Sequence, residues 1–297
     1  MRETLAIAIL FLAGLVASGQ DTSAVRTHQM ESKVFDNTRA IRVLLPPGYA
    51  DAENTTLYPV LYLNDGAMVF KRFDIQKTVH GLINAKAIPP LILVGIDNGG
   101  STDKTKNAGT DRSNEYLPYP DVGFGPDNLY APDPADSAGR KYPDFLNEVM
   151  AFVGSKYRVK SGPENTGIGG ASYGGVAAVY AVMNRPGVFG KLLIESTPLW
   201  IGPDKRLLKD VAETKAWPGK VYIGLGTKET PNETVNKAGR ADFDRFVSLL
   251  GKKSGETELR SVLEPEGKHE PAYWAKRFPV ALKFLYGNGS RTTAKKQ

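Results

Sequence analysis

The stretch Gly170-Ala171-Ser172-Tyr173-Gly174 contains the residue types that a nucleophilic serine needs. It fits the pattern G-x-S-x-G, in which a serine occupies a sharp turn between a strand and a helix and its hydroxyl stands clear of the backbone. Glycine is expected on both sides of Ser172 because a side chain there would collide with the neighbouring strand or helix. The start of the following helix offers N–H groups and a positive dipole end to an anion at the serine. The pattern therefore predicts nucleophilic catalysis by Ser172.

Two other interpretations apply to the same stretch. One is that the glycines only allow a tight backbone turn and that the motif has no catalytic role, because the pattern is short and glycine-rich. The other is a dinucleotide-binding loop, since Gly167 and Gly169 follow a strand and open a helix, and Glu195 ends the next strand. Ser172 stands where that loop requires its third glycine, and the stretch lies past the middle of the chain. We therefore favour the nucleophile.

A serine hydroxyl needs a general base, and the chain has only three histidines, His28, His80 and His269. Imidazole exchanges a proton near neutral pH, so it can take the proton of a serine and later pass it to the leaving group. The sharp turn that carries the serine is called a nucleophile elbow. In hydrolases with this elbow the catalytic residues follow along the chain in the order serine, acid, histidine, and only His269 follows Ser172. His269 is the predicted base. His28, in an early strand, and His80, in a helix, are predicted to be structural.

A carboxylate must fix the tautomer of the histidine and stabilise the imidazolium. Glu229 is the predicted acid, because it is the first carboxylate after the apolar strand at residues 221–225. Glu233, Asp204 and Asp242 remain alternatives. The oxyanion of the tetrahedral intermediate needs two donors, one from the residue after the nucleophile and one from a loop after an early strand. The expected donors are the backbone N–H groups of Tyr173 and Ala67.

Strand and helix patterns alternate along the chain and predict an α/β fold with a mostly parallel sheet and helices on both faces. Near-continuous apolar runs, typical of strands buried on both faces, lie at residues 58–63, 91–96 and 221–225, and residues 191–195 are predicted to form a further strand. Helical patterns lie at residues 75–85, 142–157, 240–250 and 272–286. The polar candidates follow the carboxyl ends of strands, where open α/β sheets hold their sites.

Residues 98–139 lack regular periodicity and are rich in Gly, Pro, Asp and Tyr. So long a segment in a compact domain is usually functional, and this one begins at the same sheet edge as Ser172. We expect it to cover the site. The guanidinium of Arg112 would donate hydrogen bonds to a polar group of the substrate, and aromatic residues would form an apolar wall. The alternative is that these aromatic residues only pack the loop down. They are Tyr116, Tyr119, Phe124 and Tyr130.

Length and composition limit the organisation of the chain. With 297 residues and 41% hydrophobic content, the chain can bury one large core, and residues 20–286 are predicted to form one catalytic domain. Residues 1–19 combine a basic start, a short apolar run and the ending Ala17-Ser18-Gly19, which predicts a signal peptide and a secreted or periplasmic protein. Residues 287–297 are polar and predicted to be a disordered tail.

The same composition excludes several functions. There is no cysteine, so disulfides, thiol catalysis and cysteine metal sites are absent. Three separated histidines form no recognisable metal site, and no metal or other cofactor is expected. The net charge of +6 comes from scattered basic residues, so nucleic acid is not an expected partner. The apolar run near the start is too short to span a membrane comfortably, and no integral membrane segment is expected in the mature chain.

Further motifs accompany the elbow: Arg42-Val43-Leu44-Leu45-Pro46-Pro47-Gly48-Tyr49, Tyr58-Pro59-Val60-Leu61-Tyr62-Leu63-Asn64-Asp65-Gly66, Val94-Gly95-Ile96-Asp97-Asn98, Arg112 with Glu115-Tyr116, Gly226-Thr227-Lys228-Glu229, and Gly267-Lys268-His269-Glu270 before Trp274 and Phe278. Together they resemble the esterase D and enterochelin-esterase-like branch of the α/β hydrolases, whose relatives include feruloyl esterases, S-formylglutathione hydrolases and mycolyltransferases. The resemblance covers nearly the whole expected mature chain and implies the α/β-hydrolase fold. It implies a triad of Ser172, Glu229 and His269 and oxyanion donors Ala67 and Tyr173. Asp65, Arg112 and Tyr116 are the expected substrate-binding residues.

The chain departs from that family pattern after the sixth strand, where Glu195-Ser196 stands and where the family often has a small polar residue. We therefore expect different pocket chemistry there. The function expected from the sequence is an exported serine esterase that acts through an acyl-enzyme on a small-molecule or polysaccharide-linked ester. Alternatives are a carbohydrate (acetyl or feruloyl) esterase, a siderophore-ester hydrolase, and an inactive binding protein with the same fold.

Overall fold

The computed structural model describes residues 24–99, 108–121, 123, 138–253 and 257–287. The signal peptide predicted at residues 1–19 lies outside the described residues. The same holds for residues 288–297 of the predicted tail and for Phe124 and Tyr130.

A sheet of eight strands, counted over the described part of the chain, forms the centre of the fold. The strands are β1 (Val25–Ser32), β2 (Asn37–Leu44), β3 (Val60–Asn64), β4 (Ile92–Ile96), β5 (Thr166–Ala171), β6 (Lys191–Glu195), β7 (Lys220–Gly226) and β8 (Glu258–Glu264). They lie in the order β1-β2-β4-β3-β5-β6-β7-β8. The β1–β2 and β2–β4 pairs are antiparallel, and the remaining pairs are parallel. The predicted α/β-hydrolase fold with a mostly parallel sheet is confirmed.

Helices cover both faces of the sheet. They are α1 (Gly66–Arg72), α2 (Ile75–Asn84), α3 (Ala108–Tyr116), α4 (Tyr142–Lys156), α5 (Tyr173–Asn184), α6 (Arg206–Glu213), α7 (Glu233–Gly251) and α8 (Pro271–Tyr286). Alternate residues of a strand face opposite sides. In β3, Val60 and Tyr62 pack into the core that α4 to α7 share, whereas Leu61 and Leu63 pack into the core under α1, α2 and α8. Two apolar layers thus hold the sheet from both sides.

Two helices near the site were not predicted. Helix α1 has only seven residues, too few to show a periodic pattern. Helix α3 lies inside the segment at residues 98–139 that was predicted to be irregular, and its sequence is polar. It is held by ion pairs instead of an apolar stripe, because Glu115 pairs with Arg39 on β2 and Arg112 pairs with Asp65 at the end of β3.

Two predicted helices begin earlier than their periodicity indicates. Helix α7 was predicted from residue 240 but starts at Glu233, because the side chain of Asn232 accepts hydrogen bonds from the N–H groups of Thr234 and Val235. Helix α5 was expected from its alanine-rich sequence to start near Val176, but it starts at Tyr173, directly after the predicted nucleophile Ser172. Across the described residues, no helix is long and apolar enough to cross a membrane.

Candidate active site

Ser172 occupies a tight turn between β5 and α5. Its backbone has φ 55° and ψ −132°, a conformation that residues other than glycine rarely adopt. The turn is fixed from both sides, because the N–H of Ser172 donates to the carbonyl of Glu195 at 2.9 Å and its carbonyl accepts from the N–H of Gly175 at 2.9 Å. A Cβ on Gly170 would lie 2.5 Å from the backbone of Gly174, so this position has no room for a side chain. The geometry is that of a nucleophile elbow.

Glu229 and His269 lie on the loops that follow β7 and β8, and a hydrogen bond of 2.7 Å joins His269 Nδ1 to Glu229 Oε2. The two loops are tied by their backbones. Lys228 N–H donates to the carbonyl of Gly267 at 2.9 Å, and Thr227 N–H donates to the carbonyl of Glu264 at 3.0 Å. The carboxylate and the imidazole are therefore held as one unit.

The carboxylate of Glu229 is stabilised in its ionised form. Burial alone would raise its pKa, but hydrogen bonds from His269, Ser196 and the N–H of Gly226 outweigh burial and lower the pKa below the usual value for glutamate. The Ser196 hydroxyl and the Gly226 N–H both donate to Oε1, at 2.7 and 2.6 Å. This leaves Oε2 to His269. A carboxylate in this state can stabilise an imidazolium.

No hydrogen bond joins Ser172 to His269, both of which lie in the described part of the chain. The two are linked through β6, since Glu195 accepts from the Ser172 N–H while the next residue, Ser196, donates to Glu229. Catalytic hydrogen bonds without substrate are commonly long and shorten when substrate binds. His269 is accessible for this step, because 40% of its side chain is exposed.

The other candidate acids and histidines have partners elsewhere. Asp242 is buried and pairs with Lys205, Glu233 is exposed and lies 3.7 Å from Lys228, and Asp204 lies 3.5 Å from Lys209. His28 Nε2 is 2.5 Å from the hydroxyl of Tyr157, and His80 Nε2 is 2.9 Å from the carbonyl of Leu45. Among the candidates, the structure brings His269 together with Glu229.

Ala67 and Tyr173 occupy the first turns of α1 and α5, where N–H groups are not used by the helix's own hydrogen bonds. The two helices follow β3 and β5, which are adjacent and parallel, so both helix N-termini lie at the same sheet edge. Asn64, the last residue of β3, donates from its side chain to the carbonyl of Gly174 at 2.7 Å. Two positive helix ends thus flank the elbow, an arrangement suited to an oxyanion.

Asp65 and Arg112 form an ion pair with each other. Arg112 donates from Nε and Nη2 to the two carboxylate oxygens of Asp65, both at 2.7 Å, and Asn98 Nδ2 donates to Asp65 Oδ1 at 2.9 Å. Asp65 is 5% exposed. The predicted donor fork of Arg112 is therefore occupied by a neighbouring carboxylate, and the structure does not present Asp65 to a ligand.

Tyr116 differs from its predicted place on a pocket wall. It is 1% exposed, its ring packs edge-on against Tyr142, and its hydroxyl accepts from the N–H of Asp65 at 3.0 Å. Tyr119 donates to Asp210 on α6 at 2.5 Å. The contacts of Tyr116 and Tyr119 favour the alternative that the aromatic residues of this segment pack the loop against the rest of the protein.

Glu195 and Ser196 were expected to change the pocket chemistry, but their observed contacts were not predicted. Ser196 lies between Glu229 and Trp274, whose Nε1–H donates to the Ser196 hydroxyl at 2.9 Å. The neighbouring Glu195, expected to alter the pocket, instead pairs with Arg277 at 2.6 Å in the interior. The signal available in the sequence was the position of Ser196 directly after a buried strand. Over the described residues, no group of three His, Asp or Glu side chains is arranged to hold a metal ion.

Comparisons with known proteins identify the family and the fold of the chain. The model of a protein family described as "Putative esterase" matches residues 32–285. Uncharacterized protein YbbA of Bacillus subtilis (strain 168) is 24% identical over 259 residues, which cover 86% of this chain and 95% of that protein.

Many solved structures are similar in fold. The BES protein from Bacillus cereus has a TM-score of 0.68 at 18% identity, covering 89% of this chain and 97% of that chain. The enterobactin esterase FES from Shigella flexneri has a TM-score of 0.66 at 17% identity, and the similarity covers 89% of this chain but only 59% of that chain. The chain belongs to the esterase family of the α/β hydrolases, and its activity class is that of a carboxylic ester hydrolase of the serine hydrolase type.

Proposed function

We propose that the protein hydrolyses a carboxylic ester through an acyl-enzyme, with Ser172 as nucleophile, His269 as base and Glu229 as the supporting carboxylate. The observation that carries the proposal is the 2.7 Å hydrogen bond between His269 and Glu229 at the edge where Ser172 occupies the elbow. Ala67 and Tyr173 supply the N–H groups of the oxyanion hole. The predicted order of serine, acid and histidine supports the same roles.

In the first half of the reaction His269 Nε2 takes the proton of Ser172 as Oγ attacks the carbonyl carbon of the ester. The carbonyl oxygen becomes an oxyanion, and the two N–H groups stabilise it. The C–O bond to the alcohol then breaks, and His269 gives its proton to the departing oxygen. In the second half, water replaces the alcohol, so the acid is released and Ser172 regains its proton.

Substitution of the nucleophile tests the proposal. Ser172→Ala should lower kcat by up to about a millionfold, because members of a triad act as a unit. Its melting temperature should change little, because alanine keeps the Cβ and removes only the hydroxyl. The assay follows acetate, butyrate and longer p-nitrophenyl esters, together with covalent labelling by a fluorophosphonate. Wild-type turnover by the variant would exclude Ser172, whereas an unlabelled and inactive wild type would favour the alternative of a binding protein with this fold.

The substrate is proposed from the relatives. The structural similarity to an enterobactin esterase favours a siderophore ester as one candidate, although this chain spans only 59% of that protein. Acetyl or feruloyl esters of carbohydrates are the other candidate. Hydrolysis of a catecholate siderophore ester, acetylated xylan and methyl ferulate under one set of conditions separates them.

Export is part of the same proposal. It rests on the signal-peptide pattern at residues 1–19, and the catalytic domain would begin near residue 20. Expression of the full chain with fractionation of the host cells tests it, with N-terminal sequencing of the mature product.

A further inference from the structure

Ser196 is one of four side chains that contact each other in a closed ring, together with the proposed acid and base. Its hydroxyl donates to Glu229 Oε1 at 2.7 Å and accepts from Trp274 Nε1 at 2.9 Å. Trp274 packs edge-on against the ring of His269, with ring centroids 5.2 Å apart and planes at 89°. His269 in turn holds Glu229 Oε2 at 2.7 Å. The four side chains thus form a ring in which each contacts two others.

The backbone holds Ser196 in a strained conformation to complete this ring. Its φ is 45°, in the left-handed region, and it is 3% exposed. Its N–H donates to the carbonyl of Gly224 on β7 at 2.8 Å, which fixes it beside the loop that carries Glu229. The residue before it, Glu195, accepts from the N–H of Ser172. One dipeptide therefore contacts both the nucleophile and the acid.

A buried ion network holds the same dipeptide to α8. Arg277, one turn after Trp274, donates to Glu195 Oε2 at 2.8 and 2.6 Å and to Glu264 Oε2 at 2.6 Å. The carbonyl of Glu264 accepts from Gly267 and Thr227, which lie in the loops that carry His269 and Glu229. Helix α8 thus fixes the spacing between β6 and these two loops.

We propose that Ser196, held by Trp274, is a positioning residue that fixes the carboxylate of Glu229 so that Oε2 faces His269. The proposal rests on the catalytic roles given above to Glu229 and His269. Glu229 receives three hydrogen bonds in a fixed pattern, two at Oε1 and one at Oε2. Loss of the Ser196 donor leaves Gly226 N–H alone at Oε1, and the carboxylate can rotate away from the imidazole. The proton transfer of His269 then loses its alignment.

The test is a double-mutant cycle on kcat. Ser196→Ala alone should lower kcat by about tenfold or more with KM within about twofold, because the change affects the reacting groups and not substrate binding. In the Glu229→Ala background the same change should have no further effect, because Ser196 acts only through Glu229. Ser196→Gly, which tolerates the left-handed backbone but lacks the hydroxyl, should lower kcat as Ser196→Ala does, so that the loss comes from the missing donor and not from backbone strain. Trp274→Phe, which keeps a ring beside His269 but loses the N–H donor, should give a smaller loss than Ser196→Ala.

Ser32→Ala is the matched control. Ser32 is 4% exposed and its hydroxyl also donates to a carboxylate at 2.7 Å, that of Glu148, away from the site. It should lower the melting temperature without changing kcat. The proposal is overturned if Ser196→Ala lowers kcat equally in the wild-type and Glu229→Ala backgrounds, or if kcat stays at the wild-type value. If Glu229→Ala itself keeps full activity, the proposed triad fails instead, so the two failures are distinct.

Discussion

Replacing Arg112 with alanine should destabilise the fold without changing which esters the protein prefers. Arg112 was predicted from the sequence to bind substrate, but its Nε and Nη2 both donate to Asp65 at 2.7 Å. Its guanidinium also lies 5.2 Å from the centre of the Tyr116 ring and 5.6 Å from that of Tyr173. The substitution removes two charged donors and leaves the carboxylate of Asp65, 5% exposed, with Asn98 as its remaining side-chain donor.

The magnitude follows from the burial of the two partners. Removing one partner of a fully buried ion pair costs about 3–5 kcal/mol. A quarter of the Arg112 side chain is exposed, so water replaces part of what is lost, and we expect a loss of about 2–3 kcal/mol in the free energy of unfolding. For a domain of this size, that loss lowers the melting temperature by about 4–12 °C. Asp65→Asn in the same chain should recover part of it, since the buried group is then neutral.

Urea unfolding and kcat/KM for a small and a bulky ester measure the two effects. Arg240→Ala is the control, because Arg240 forms an exposed ion pair with Asp244 on α7, worth about 0.3–0.5 kcal/mol. In Arg112→Ala, the rates on the two esters should fall by the same factor. If the ratio of the two rates changes tenfold or more while the free energy of unfolding is unchanged, Arg112 selects substrate and the structural interpretation is refuted.

Two further predictions concern pH and metal ions. Arg277→Met should lower the free energy of unfolding by about 3–5 kcal/mol at pH 8, because it removes the cation that pairs with the buried carboxylate of Glu195. Burial already raises the pKa of Glu195 to about 7. The variant should raise that pKa further, so the loss should be smaller at pH 5, where Glu195 takes up a proton, and urea unfolding at both pH values measures this. An equal loss at both pH values would contradict the role of Arg277. For the wild type, EDTA should have no effect on kcat/KM, because the proposed acyl-enzyme mechanism uses no metal ion. Activity that EDTA abolishes and zinc restores would instead indicate a metal mechanism.

The fold was predictable from the sequence because its central strands are buried on both faces. Residues 191–195 were predicted as a strand and form β6 with the same bounds, and all five residues are buried. Its central residues Leu192, Leu193 and Ile194 are consecutive apolar residues, as expected of a strand buried on both faces, and this run made the strand predictable. Helix α3, in contrast, could not be predicted from the sequence. Its polar sequence has no apolar stripe, and its ion-pair partners lie in β2 and at the end of β3, far away in sequence.

At the site, too, the contacts of the proposed acid could not be read from the local sequence. Glu229, Glu233 and Asp242 are all carboxylates near β7 in sequence, and the direction of each side chain depends on contacts that no local pattern records. Glu229 faces His269 because the N–H of Gly226 and the hydroxyl of Ser196 hold its other oxygen. The pairing of β6 with β7, with Glu195 opposite Gly224, creates that contact. Register between strands was therefore the missing information.

The anchoring of α3 also changes what the segment at residues 98–139 can do. Glu115 is buried against Arg39, with side chains 7% and 1% exposed, and it also accepts from the N–H of Gly99 at 3.0 Å. Arg112, nearly one turn earlier on the helix, is held by Asp65. Each pair binds the helix to a different strand of the sheet, so rotation or lifting of α3 would expose a buried charge in both places. We therefore expect α3 to keep its position during turnover and not to move as a lid.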